Sequence, residues 1–125
     1  MGKRDEQVTA GDLTELVFLE RLAARMPDDV EVLTALGDLY TRVGHYERGL
    51  AVDRRLAALC ADDPEVWYNL GCSLALLQQR GEALAALNRA IELGYDDRDW
   101  MCRDDDLRSL RDDQAFRALL KQIAS

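Results

Sequence analysis

Apolar side chains recur along this chain at helical spacing, broken at clusters of Gly, Pro and Asp. From Asp12 to Met26, the residues Leu13, Leu16, Val17, Leu19, Leu22, Ala23 and Met26 give an unusually wide apolar surface, with Phe18 on a further side. Asp12 and Glu15 stand as a capping pair at its start, and Pro27-Asp28-Asp29 stops it. Residues 1–11 are polar and predict a flexible tail. Leu33, Leu36, Gly37 and Tyr40 then form one helical stripe, with Asp28 and Glu31 placed to cap it. Gly44-His45 makes a turn, and a second helix is predicted from Tyr46 to Cys60. Asp63 is a good N-cap with Pro64 at N1, where a missing N–H costs nothing, so the next helix runs to Leu77. Arg80 to Leu93 follows, closed by Gly94. Asp97 to Arg103 predicts a short helix, Leu107 and Leu110 a turn, and Asp112 to Ala124 a last helix. That helix has Phe116, Leu119, Leu120 and Ile123 on one face and Asp113, Gln114, Arg117, Lys121 and Gln122 on the other.

The middle of the chain repeats itself. Shifted by 34 positions and without a gap, Glu31/Glu65, Val32/Val66, Leu36/Leu70, Gly37/Gly71, Leu50/Leu84, Ala51/Ala85, Arg55/Arg89, Leu59/Leu93, Asp62/Asp96 and Asp63/Asp97 coincide. Residues 30–63 and 64–97 are therefore two copies of one helix–turn–helix unit. The glycine of each copy predicts a close approach of its two helices, since any Cβ there would push the second helix away.

Trp67-x2-Leu70-Gly71-x2-Leu74, then Ala83-x3-Leu87 and Ala90, resembles the tetratricopeptide repeat, and Leu33-x2-Leu36-Gly37-x2-Tyr40 resembles it one period earlier. The resemblance is specific over residues 30–97 and weaker over 12–29 and 98–124. It implies an all-α fold: a right-handed α-solenoid of antiparallel helix pairs. Two full repeats would be flanked by a capping helix at 12–27 and by a partial repeat with a solvating helix at 98–125. The earlier copy departs from the pattern at Gly49, at Asp53 where an aromatic is usual, and at Ala61 where a proline is usual. Its second helix is expected to pack more loosely.

Composition narrows the function. The chain has 125 residues, 48% of them hydrophobic, and a formal charge of −8. It carries only two lysines, Lys3 and Lys121. That balance argues against a nucleic-acid surface, which needs clustered cations. No apolar run approaches the roughly 20 residues that span a bilayer. An odd set of cysteines, Cys60, Cys72 and Cys102, with no paired framework fits a reducing, cytoplasmic setting.

Chemistry-bearing patterns are sparse. His45 is a lone turn histidine. The cysteines lack metal spacing, although Cys72 and Cys102 fall on neighbouring predicted helices. The run Asp96, Asp97, Asp99, Asp104, Asp105, Asp106 lacks the central glycine and closing glutamate of a calcium loop, and reads as solvated turn and capping residues. No nucleophile–base–orienter set, phosphate loop or metalloprotease motif is present, so the expectation is a protein without catalytic, metal or cofactor residues.

What remains is a binding surface. The resemblance implies that the first helix of each repeat lines a concave peptide groove. The facing residues would be Glu31, Thr34, Ala35, Asp38, Thr41 and Arg42, then Glu65, Tyr68, Asn69, Cys72, Ala75 and Leu76, with Asp99, Cys102, Arg103 and Asp106 on the partial helix. Co-chaperones of the family hold an acidic chaperone tail in a clamp of Lys, Arg and Asn. Asn69 matches one clamp position, but the lysines are absent and an acidic ligand would meet Glu31, Asp38 and Glu65. The expected partner is a protein or peptide with apolar and basic residues, anchored on Tyr68 and Asn69. The alternative is a structural protein that self-associates, as a homodimer, through the apolar helix 12–26.

Overall fold

A computed structural model describes residues 8–123. The described chain is helical throughout and divides after Leu59 into two compact units.

The first unit holds three helices, α1 (Ala10–Arg25), α2 (Val30–Arg42) and α3 (Tyr46–Leu59). α1 begins earlier than its apolar pattern suggests. Thr9 is the N-cap: its hydroxyl accepts from the Asp12 N–H at 3.0 Å, and the Asp12 carboxylate accepts from the Thr9 N–H at 3.1 Å. This reciprocal box draws Ala10 and Gly11 into the helix, so Asp12 is its third residue rather than its cap. The part of the expected tail at 1–7 lies outside the described residues. Pro27 disfavours helical backbone at Met26, which leaves the helix with φ −132° and ψ 66°. α2 is capped by Asp29, which accepts from the Val32 N–H, and not by Asp28 as expected; Asp28 is ion-paired with Arg55.

Leu16 and Leu19 of α1 are buried against Leu36, Leu39, Tyr40 and Val43, with Val8, Ala23 and Val52 closing the edges. Each such leucine contributes about 2 kcal/mol by leaving water. The Tyr40 hydroxyl finds a partner in Glu20 at 2.5 Å. α3 lies close on α2 rather than loosely. A Cβ on Gly37 would stand 3.2 Å from both Val52 Cγ1 and Asp53 Oδ1, and one on Gly49 would stand 3.3 Å from Thr41 Oγ1. The departures at Gly49 and Asp53 are what this contact requires: both positions are small or short where the helices meet.

The second unit holds α4 (Pro64–Leu76), α5 (Arg80–Glu92), α6 (Arg98–Arg103), a 3-10 helix (Asp105–Leu110) and α7 (Gln114–Gln122). Asp63 caps α4 with Pro64 at N1, as its sequence predicts. α4 packs on α5 and on the 3-10 helix, and α5 packs on α7. Leu74, Leu87, Met101, Leu107, Leu110 and Phe116 form the fully buried centre. Gly71 lies directly under Leu87: a Cβ there would come within 2.7 Å of Cδ2 and 2.8 Å of Cγ. α7 turns Phe116, Leu119 and Ile123 inward and leaves Arg117, Lys121 and Gln122 in solvent. It starts two residues later than expected, because Asp113 caps it while also pairing with Arg80 at 2.8 Å.

The turns closing α2, α4 and α5 share one geometry. The N–H groups of His45, Gln79 and Tyr95 reach back to the carbonyls of Tyr40, Leu74 and Ala90 at 2.8, 2.9 and 2.9 Å. This bond requires left-handed backbone at the residue between. Gly44 (φ 86°) and Gly94 (φ 114°) supply it freely, whereas Gln78 adopts φ 61° with a side chain attached.

Three substitutions measured by thermal and urea unfolding test this account. Gly71→Ala should lower stability by about 1–3 kcal/mol, because Leu87 has nowhere to move. Gln78→Gly should raise it by about 1 kcal/mol by relieving the left-handed strain. Gly81→Ala should raise it by about 0.5 kcal/mol, since a Cβ there meets nothing within 4 Å.

Candidate functional site

The expected binding residues are divided between the two units and only some of them are exposed. On α2, Glu31, Thr34, Ala35 and Asp38 are exposed along one side. Thr41 is half-buried and donates to the Gly37 carbonyl at 3.2 Å. Arg42 reaches back to Asp12 at 3.3 Å, so its charge is already paired. Glu31 and Asp38 have no ion-pair or hydrogen-bond partner for their carboxylates among the described residues. Desolvation by surrounding protein raises the Asp38 carboxyl above its ordinary range.

In the second unit the expected residues separate. Glu65, Asp99, Cys102 and Arg103 are exposed, and Asn69, Leu76 and Asp106 are half-buried. Arg103 lies over the Trp100 ring at 6.0 Å and donates to the Asp99 carbonyl. Tyr68, Cys72 and Ala75, by contrast, are buried, with Tyr68 only 3% exposed. Tyr68 is therefore a core residue and not the surface anchor its position suggests. The neighbouring Trp67 donates its indole N–H to the Ala61 carbonyl at 2.7 Å. The Tyr68 ring stacks on Tyr95 with centroids 4.3 Å apart and 4° between planes, and its hydroxyl donates to Asp104 Oδ2 at 2.6 Å.

Asp104 is the residue that sequence reasoning missed. It belongs to the aspartate run read as solvated, yet it is only 6% exposed. The chain between α6 and the 3-10 helix carries it over α4. Its Oδ2 accepts from Tyr68 and from the Cys72 thiol at 3.6 Å, and its Oδ1 accepts from the Asp106 N–H at 3.0 Å. Of the rest of the run, Asp97 caps α6 and Asp96, Asp99 and Asp105 are exposed as expected, while Asp106 is half-buried beside Asp104. None of the three cysteines forms a disulfide, and Cys72 is buried while Cys102 is exposed.

Cys72, Asp104 and Asp106 each place one donor atom within 4.8 Å of the others. Both oxygens of Asp104 already accept hydrogen bonds from Tyr68, Cys72 and Asp106. A cation there would have to displace the bonds that hold Asp104 to α4. The arrangement works as a structural node in which a buried carboxylate is satisfied by several donors.

One tetratricopeptide repeat model matches residues 64–97 and a second matches residues 30–71. The chain belongs to the tetratricopeptide repeat family. It is all-α, with successive helices packed in pairs, as the α-solenoid class of this family requires. Among curated proteins it is similar to the Protein CTR9 homolog of Arabidopsis thaliana, 35% identical over 88 residues. The match takes in 70% of this chain and 8% of the relative, so the chain spans less than a tenth of that protein's length. Tetratricopeptide repeats are protein–protein interaction and scaffold modules, and the family is in general non-enzymatic. Among the described residues no helix is long and apolar enough to cross a membrane.

Burial holds the buried tyrosines in their neutral form. The Tyr68 phenol is raised far above its ordinary value by desolvation, with Cys72 and Asp104 adding to it, and the Tyr40 phenol is pushed up to about 12 by desolvation and by Glu20. The folded chain thus holds these protons more tightly than the unfolded chain, whose tyrosines titrate near 10. Stability should be at its full value below about pH 10 and fall as pH rises through 10 toward 12, read by urea unfolding. Tyr68→Phe should flatten this alkaline loss and lower neutral-pH stability by about 1–3 kcal/mol, because it removes a donor from a buried carboxylate.

Proposed function

We propose that this protein binds a protein or peptide segment carrying apolar and basic side chains on the exposed face of its repeat helices. The observation that carries this reading is the charge left unspent there. On α2, Glu31 and Asp38 are unpartnered among the described residues, while Arg42 is tied to Asp12. On α4 and α6, Glu65 and Asp99 present carboxylates without a partner among the described residues, while Arg103 is engaged by Trp100. A cationic side chain would find acceptors on each face; an acidic tail would find repulsion. Asp38 supports this further, since a bound cation would offset the desolvation that raises its carboxyl.

Asn69 keeps a place in the proposal. It is half-buried beside Glu65 on the same helix and able to hydrogen-bond an extended backbone. Tyr68 and Cys72 do not, because both are committed to Asp104. The lack of a lysine clamp removes the chaperone-tail reading. An odd number of cysteines, none of them in a disulfide, supports a reducing, cytoplasmic setting.

The test is fluorescence anisotropy with a labelled peptide of leucine and arginine, beside a control of leucine and aspartate. The basic peptide should bind more tightly, and should weaken by about tenfold or more between about 20 and 200 mM salt. Glu31→Lys with Asp38→Lys should reduce its affinity by about tenfold. Equal binding of both peptides, or indifference to the double reversal together with Glu65→Lys and Asp99→Lys, would sink the proposal.

A further inference from the structure

The apolar side of α1 that faces away from α2 supplies the chemistry that the α2 face lacks. Leu13, Val17 and Phe18 are 49%, 48% and 61% exposed. Arg21 lies one turn beyond Val17 and Phe18, and Arg25 one turn beyond Arg21. Neither arginine has a partner among the described residues. The acids of α1 are differently placed. Asp12 is paired with Arg42, Glu20 is held by Tyr40 and Arg48, and Glu15 lies on the helix side opposite Leu13 and Val17, bordering the face only beside Phe18. The outward face is thus apolar at its N-terminal half and purely basic at its C-terminal half.

The exposed face of α2 is its complement. Thr34 and Ala35 offer small side chains on which a neighbouring helix can lie close. Glu31 precedes them by one turn and Asp38 follows by one turn, both unpartnered among the described residues. We infer that α1 of one copy docks its Leu13–Val17–Phe18 face on the Thr34–Ala35 strip of α2 in a second copy, with Arg21 and Arg25, which lie beyond one end of that face, reaching the acid at the matching end of the strip, Glu31 or Asp38 according to helix direction. This rests on the reading above that the α2 face takes apolar, basic segments, and it names the segment.

Charge decides against the simpler pairing of α1 with itself. In parallel, Arg21 and Arg25 would face their own copies; in antiparallel, they would face the stretch around Ala10 to Thr14, where Asp12 is already engaged. The second unit is the poorer acceptor, since Tyr68 and Cys72 of α4 are withdrawn into its core. Because donor and acceptor are different patches, the contact is heterologous. It forms a ring where the rotation closes and grows with concentration where it does not.

Sedimentation velocity and light scattering from about 10 µM to about 1 mM, at about 150 mM salt, test the inference. The mean mass should rise with concentration. Arg21→Glu with Arg25→Glu, and separately Glu31→Arg with Asp38→Arg, should each weaken association by about tenfold or more. A chain carrying all four reversals should regain it, which a merely unfolded variant would not do; circular dichroism checks that each remains helical. Val17→Ser should weaken association without altering its salt dependence. A monomer throughout, or association indifferent to both reversals, overturns the inference. In the monomer case, binding of the leucine–arginine peptide would leave the reading of the α2 face standing and remove only the second copy as occupant. Failure to bind that peptide would remove both.

Discussion

The close approach of paired helices at two glycines is the constraint on which this structure depends. Helices pack at 8–10 Å only where the side chains at the crossing permit it. Gly71 permits Leu87 to lie against the backbone of α4, and Gly37 permits Val52 and Asp53 to lie against α2. Leu87 and Asp53 are the same position, one repeat apart, yet one is an apolar branch and the other a carboxylate. The glycine therefore fixes the distance and leaves the chemistry of the opposing residue free. That freedom explains how the earlier repeat can depart from its family at Gly49 and Asp53 without opening its helix pair.

The second unit adds a polar constraint to this apolar one. Asp104 is buried, an arrangement that persists only when hydrogen-bond donors satisfy both carboxylate oxygens. Tyr68, Cys72 and the Asp106 N–H do so, and the Tyr68–Tyr95 stack covers them. Tyr68 and Cys72 of α4 thereby hold the chain after α6 against that helix.

What is left for recognition is set by which charges the fold consumes. Arg42, Arg55, Arg80 and Arg103 are engaged within their own units, as are Asp12, Glu20, Asp28 and Asp113. Solvent-exposed pairs of this kind add little stability. Their larger effect is on the surface potential, because they neutralise some positions and expose others. The acidic α2 face and the basic half of the α1 face both emerge from that subtraction, although the chain as a whole carries −8.

The sequence by itself determined the helices, their order and their pairing. Periodicity of apolar residues, Asp and Pro at helix starts, and Gly at two of three helix ends are local signals, and local physics answers to them. It also determined the 34-residue register, since each repeat needs the same small residue at the same crossing. Helix starts were misread at Asp12 and Asp28 because several candidate caps stood side by side, and the choice turned on the reciprocal bond of Thr9 and on the pull of Arg55 on Asp28. Only the tertiary structure decided the fate of Tyr68, Cys72 and Asp104. Their roles depend on a contact between residues 36 positions apart, made by a short irregular segment with no periodicity to read. A tyrosine at an outward register and an aspartate in an acidic run look solvated until the chain that brings them together is in place. Burial and pairing belong to the whole fold, whereas helical register belongs to the string of residues.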